Sequence, residues 1–406
     1  MHSPVSARGQ EHAVSIPTPR GWRVILAYAA VAASTQILWL TFAPITTETA
    51  HHYGVSKAAV GWLAEIFPLL YVVLALPAGR LLDRWFRPVL ATGGALTALG
   101  GIVRIGGHTY AWALAGQTLV AVAQPVVLSA VSKLAGHYLP AAERANGIAV
   151  GAGAGFVGML LALLLGPTVG GHGHIERLLV VQAVIAAVSG LALLLALRER
   201  GRPDAPPSRD TGEHVAIEGS AARALWQRRE IRLLCGLVFI GFGIFVALAT
   251  WLQSLLEPQG VSEGAAGGLL VGMVVAGTAG CAVIPQAVER RHAERRFMLA
   301  VVVTAAFGCA LLAPSRWLPA QALVLVVMGA ALLPALPVVL TGVERMAGAA
   351  AGTAGAIIWL AGNLGGIVVA LLVQALLDEP TAAFLSLAGV AALGLPLATR
   401  LGRTLD

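Results

Sequence analysis

The sequence predicts an all-α membrane protein with twelve transmembrane helices in two six-helix bundles. Three observations carry that expectation. Apolar residues make up 57% of the 406-residue chain and charged residues 12%, whereas a soluble domain carries roughly 25% charge; the mean hydropathy is +0.80. The apolar residues gather into twelve segments of spanning length. The basic residues fall mostly in alternate connections between those segments.

The segments run over 22–43, 59–81, 88–107, 111–135, 145–167, 175–197, 231–255, 264–288, 297–314, 317–341, 349–374 and 380–399. Each is close to the ~20 residues that a helix needs to cross a ~30 Å hydrocarbon core. Lipid offers no partner to unpaired backbone, so each is expected to be helical. The first 21 residues are polar and hold no apolar run with a cleavage site. The first segment is therefore expected to stay as an anchor.

Twelve crossings put both ends of the chain on one side. Of the 27 Lys and Arg, 22 fall on that side, among them Arg80, Arg84, Arg87 and the eight from Arg198 to Arg232. The other side holds Lys57, Arg104, Arg177 and Arg316, and Lys133 lies within the fourth segment. This bias predicts a multi-pass protein of the inner cell membrane with both termini cytoplasmic. It also accounts for the net charge of +7. The basic residues form no single patch with interleaved aromatics, so nucleic acid is not an expected partner. The expected partners are the bilayer, a small-molecule solute and a coupling proton. One chain already contains a complete pathway, so a functional monomer is expected.

The domain plan follows. Residues 1–21 form a cytoplasmic tail, 22–197 the first bundle, 198–230 a linker, 231–399 the second bundle and 400–406 a cytoplasmic tail. The linker holds Pro203, Pro206 and Pro207 among mixed charges, which suits a flexible or amphipathic connector. Cys235, Cys281 and Cys309 all fall inside apolar segments and read as small hydrophobes, with no disulfide framework.

Between the second and third segments the chain reads Gly79-Arg80-Leu81-Leu82-Asp83-Arg84-Trp85-Phe86-Arg87-Pro88. This G-x-x-x-D-R-x-x-R loop resembles the signature of the major facilitator transporters. The resemblance implies the major facilitator fold, two bundles rocking about a central cavity. Gly79 permits close helix approach. Asp83, Arg84 and Arg87 can bond helix ends or one another's partners in one conformation and release them in the other, which makes them gating candidates. Pro285-Gln-Ala-Val-Glu289-Arg290, after the eighth segment, echoes the form. The fifth segment carries Gly147, Gly151, Gly153, Gly155 and Gly158, then Gly166-Pro167-Thr168-Val169-Gly170-Gly171. The glycines suit close packing. The G-P-x-x-G-G end resembles the antiporter signature of the same superfamily, but at the outer end of its segment it reads as a turn.

Charges inside a membrane are functional candidates. Glu65 and Arg104 both lie toward the external face and could pair. Two readings stand: a structural ion pair near the interface, or a protonatable carboxylate coupled to the solute and tuned by Arg104. Lys133 can snorkel to the cytoplasm.

Polar and aromatic residues at helical spacing suggest a cavity lining. Gln36 and Trp39 share a stripe in the first segment, Gln117 and Gln124 in the fourth, and Trp359 and Asn363 in the eleventh. Phe239, Phe242 and Phe245 form a looser stripe in the seventh. Pro125 can bend the fourth helix. Each amide could instead serve an interhelical hydrogen bond, and each ring could serve core packing or the interfacial belt.

A narrower likeness lies in Leu40-Thr-Phe-Ala-Pro44, Tyr53-Gly-Val-Ser56, Gly61-Trp62-Leu63, Leu82-Asp83-Arg84, Ala123-Gln124-Pro125, Ser132-Lys133-Leu134-Ala135 and Glu143-Arg144-Ala145. Over residues 36–150 the chain resembles the carriers related to the feline leukaemia virus subgroup C receptor, linked to choline, ethanolamine and haem. The resemblance implies a quaternary ammonium held by a first-span tryptophan, a seventh-span aromatic and amides of the fourth and eleventh spans. It carries those roles onto Trp39, Gln124 and Asn363. The seventh-span aromatic falls on Val246, with Phe245 adjacent.

Catalysis is not expected. No His, Cys, Asp or Glu set shows metal-ligand spacing, the Gly-rich stretches lie in spans and cannot cradle phosphate, and no cofactor is implied. The expected function is secondary active transport of a small organic solute, quaternary-amine-like in character. The substrate-binding candidates are Gln36, Trp39, Gln124, Phe245, Trp359 and Asn363. A multidrug exporter is the alternative within transport, although no carboxylate sits in the middle of the first or fourth segment. A membrane receptor or sensor with a transporter fold, binding without flux, is the alternative from another class.

Overall fold

A computed structural model describes residues 19–140, 143–171, 173–199, 219–347 and 351–401. These residues are overwhelmingly helical, with no strand among them. Among the described residues, twelve helical spans are long and apolar enough to cross a membrane: Arg20–Tyr53, Lys57–Leu82, Phe86–Val103, Tyr110–Ser129, Asn146–Gly170, Ile175–Ala196, Arg229–Gln259, Glu263–Arg290, Glu294–Leu312, Leu318–Val343, Thr353–Gln374 and Pro380–Thr399. The chain is a multi-pass membrane protein. Most of both expected tails and residues 200–218 of the expected linker lie outside the described residues. The linker's described end is a short helix, Gly219–Gln227, which buries Leu225 and exposes Trp226.

The two bundles share one plan. The first span packs on the fifth, the second on the fourth and the third on the sixth; the seventh packs on the eleventh, the eighth on the tenth and the ninth on the twelfth. Lipid supplies no hydrophobic drive between helices, so contact depends on close fit. A side chain at Gly158 would strike the Ala33 carbonyl, and one at Gly365 the Phe239 carbonyl. Thus the first–fifth and seventh–eleventh pairs close in the same way.

Two spans depart from the sequence reading. The first extends past 43, but not as one helix. Helix Pro19–Trp39 gives way to a tight turn at Ala43–Ile45 and a second helix, Thr46–Tyr53. Pro44 has no N–H for the Leu40 carbonyl; the Ala43 N–H donates there instead, at 3.3 Å. The fourth, expected over 111–135, stops at Ser129 and restarts as Val131–Tyr138. The break follows Pro125 by about one turn, where the Ala130 N–H takes the Val127 carbonyl at 3.2 Å. The Gly166–Gly170 stretch forms a wide turn packed against Pro44 and Gly267.

The ends of the molecule differ. At the end opposite the termini, hydrogen bonds join the bundles. The Thr47 N–H donates to Gln253 Oε1 at 3.3 Å, and its hydroxyl bonds Glu257. Lys57 Nζ bonds Glu257 Oε2 at 2.7 Å, and the Glu48 N–H donates to Glu263 Oε1 at 3.3 Å. Below them the Trp251 indole fills the place where Gly61 has no side chain. This end is closed.

Candidate functional site

A cavity of about 460 Å³ lies between the bundles at mid-depth and runs toward the end that carries the termini. Its lining includes Gln36 and Trp39 of the first span, Gln124 of the fourth, Phe245 of the seventh, and Trp359 and Asn363 of the eleventh. All six sequence-derived candidates therefore share one cavity. Tyr71 and Phe242 line it too. Phe242 stands 6.0 Å from both Phe245 and Trp359, and Tyr71 6.4 Å from Trp359, between ring centroids.

The position of Trp39 follows from a proline one helix away. Pro68 has no N–H, so the Ala64 carbonyl lacks its helical donor. The Trp39 indole N–H supplies one, at 3.1 Å. That bond ties the indole's polar edge to the second span. Asn363 is fixed within its own helix, its amide N–H donating to the Trp359 carbonyl at 2.9 Å, which leaves its oxygen available. Gln36 and Gln124 make no side-chain hydrogen bond to another described residue, although both are buried. Buried amides without protein partners are costly unless water or a ligand meets them.

No Asp, Glu, Lys or Arg lines the cavity among the described residues. The lining is aromatic, amide and aliphatic. The fifth span contributes Ile148, Gly151, Ala152, Gly155, Phe156 and Met159, a helical stripe that its glycines obscured in the sequence. Tyr28 and Tyr71 were missed as well; Tyr28 stands eight and eleven residues before Gln36 and Trp39, on their stripe.

Two sequence readings resolve to their packing alternatives, and one expected pairing does not form. Gln117 does not reach the cavity with Gln124; its amide donates to the carbonyls of Leu38 and Leu63, both at 3.0 Å, pinning the first and second spans together. Phe239 does not line the cavity; Phe242, Phe245 and Val246 do. Glu65 and Arg104 do not pair. Arg104 turns into its own bundle and is fully buried, donating to Thr41 at 2.9 Å, Gln182 at 2.9 Å and Gln117 at 3.4 Å. Glu65 faces the other bundle and accepts from the Thr250 hydroxyl at 3.2 Å, with Oε2 buried and unpartnered. They share a depth but lie on different helix faces.

The gating candidates sit at the terminal end. Gly79 is buried and Arg84 exposed, with its guanidinium 4.6 Å from the Trp85 ring centroid. The Arg87 Nε donates to the Tyr138 hydroxyl at 3.0 Å. Burial pushes the Tyr138 phenol up, and Arg87 offsets part of that. The Asp83 side chain lies outside what the structure describes.

Residues 24–370 match the family model described as Major Facilitator Superfamily. The chain is 31% identical over 322 residues to solute carrier family 49 member A3 of Danio rerio, covering 76% of this chain and 67% of that protein. It is 26% identical over 309 residues to the choline/ethanolamine transporter FLVCR2 of Homo sapiens, covering 71% of this chain and 58% of that one. Among solved structures, a point mutant of the nucleoside transporter NupG superposes with a TM-score of 0.72 at 15% identity, covering 93% of this chain and 99% of that one. A bacterial homologue of the human lysosomal transporter Spinster, inward-facing and unoccupied, gives 0.72 at 17% identity, covering 95% of each chain.

Proposed function

The chain belongs to the major facilitator superfamily, and from that premise we propose that it is a secondary active carrier moving a small quaternary-amine-like solute by alternating access. One observation carries the substrate reading: a cavity lined by the rings of Trp39, Tyr71, Phe242, Phe245 and Trp359 and the amides of Gln36, Gln124 and Asn363, with no charged side chain among the described residues. A quaternary ammonium is charged, weakly hydrated and without an N–H to satisfy. Ring faces attract it by ~0.5–2 kcal/mol each. A small, strongly hydrated cation finds no carboxylate there to replace its water. The similarity to choline/ethanolamine transporters supports the same class.

The arginine bias supports cytoplasmic termini in the inner cell membrane, which makes the described state inward-facing. In it, solute in the cavity reaches the cytoplasm while the outer end is sealed. Opening that end must break the Thr47, Lys57, Glu48 and Thr250 bonds between the bundles. Glu65 then exchanges a buried site for an aqueous one, which makes it the candidate for a coupling proton; Arg104, locked in its own bundle, is a structural residue. Asp83, Arg84 and Arg87 form the inner gate, and a monomer suffices.

Uptake of labelled choline into proteoliposomes, with and without a pH gradient, tests the reading. Saturable uptake that unlabelled quaternary amines suppress is the expected result. Folded protein that neither binds nor moves any quaternary amine overturns it.

A further inference from the structure

The cavity is not symmetric between the bundles. In the first bundle its lining comes from the first, second, fourth and fifth spans, and no residue of the third or sixth span reaches it. In the second bundle the lining passes between the seventh and tenth spans to the peripheral helices. Met298, Val301, Val302 and Ala305 of the ninth span and Ala391 of the twelfth line its narrow far end, each at most 4% exposed. Gly241 stands at the entrance, and a Cβ placed there would meet nothing nearer than a Leu332 methyl at 3.9 Å. This recess is apolar throughout and begins one helical turn from Phe245. The aromatic and amide groups sit at one end of the same cavity and the apolar recess at the other.

A volume of about 460 Å³ falls in the range that encloses a drug-sized ligand, more than a lone ammonium head requires. We propose that the solute is a single-chain amphiphile. Its cationic head sits among Trp39, Trp359 and Phe245, and its alkyl tail enters the recess past Gly241. This rests on the transport reading above and names the substrate class more closely. The chemistry fits at both ends: ring faces and amide oxygens take a weakly hydrated cation, and apolar walls take methylenes. Each methylene buried contributes about a three- to fourfold gain in affinity.

Inhibition of labelled choline uptake by alkyltrimethylammonium ions, from methyl through decyl, tests the proposal in proteoliposomes. The readout is the ratio of the decyl to the methyl inhibition constant. Wild type is expected to gain about three- to fourfold per methylene until the recess is full. Ala305→Phe is expected to flatten that series, and Ala391→Leu serves if the first variant does not fold. Val303→Phe lies on the same helix, where Val303 is exposed on the outer surface, and is expected to keep the wild-type slope; it separates the recess from partition into the bilayer. A flat series in wild type, or a slope unchanged by both recess variants, overturns the proposal while leaving choline transport intact. Failure of every quaternary ammonium, choline included, to bind overturns both readings.

Discussion

Thr250 donates its hydroxyl hydrogen to Oε1 of Glu65 at 3.2 Å, and the two residues belong to different bundles. The bond lies just beyond the cavity, since Val246 and Pro68, each about one turn away, line it. The second carboxyl oxygen of Glu65 is buried without a partner. An ionised carboxylate in that position is costly, whereas the aqueous outer state accepts it. Glu65→Gln keeps an oxygen for Thr250 and removes the titration. The expected outcome is loss of accumulation driven by a pH gradient, with exchange of labelled for unlabelled solute retained. Accumulation that survives the change removes Glu65 from the coupling.

Pro68→Ala supplies an N–H that competes with the Trp39 indole for the Ala64 carbonyl. A hydrogen bond of this kind is worth about 0.5–1.5 kcal/mol. Solute affinity is expected to fall about two- to tenfold while the helix itself gains regularity. Equilibrium binding alongside a thermal melt separates the two effects.

Trp39→Ala and Asn363→Ala each remove one wall of the aromatic and amide end. Losing the Trp39 ring face is expected to weaken binding by roughly tenfold or more. Wild-type flux in both variants removes these residues from the solute site.

Gly61→Trp places a ring where the Trp251 indole must lie to close the outer end. The protein is then held open outward and the terminal end shuts. Cys281 lines the cavity, so its native thiol reports access. Labelling of Cys281 from the terminal side is expected to fall severalfold relative to wild type, because partly buried thiols react only when exposed.

Arg104→Met leaves Thr41, Gln117 and Gln182 without their shared donor. A buried acceptor left without a donor costs about 1–3 kcal/mol. A large drop in melting temperature is expected. Arg104→Lys cannot reproduce the planar fork that meets several acceptors and is expected to recover only part of the loss.

The twelve spans were legible because hydropathy reports which segments can cross a bilayer. Rotation about each helix axis was harder to read. Gln117 and Gln124 occupy one stripe, yet packing of the first two spans captures the former and leaves the latter to the cavity. Glu65 and Arg104 share a depth, yet point to different bundles. The fifth-span stripe from Ile148 to Met159 was hidden because its glycines also serve close contact with the first span. The Trp39 anchor needed a fact about a different helix, the missing N–H of Pro68, that no pattern within the first span contains.

The neutrality of the cavity wall has an electrical corollary. With no fixed charge there among the described residues, a monovalent cation held in it would carry its own charge through the transmembrane field. Voltage then acts on the cargo directly, at about 2.3 kcal/mol per 100 mV. A potential negative inside concentrates such a cargo in the cell when the cycle moves net positive charge inward, and exchange for one proton cancels that drive.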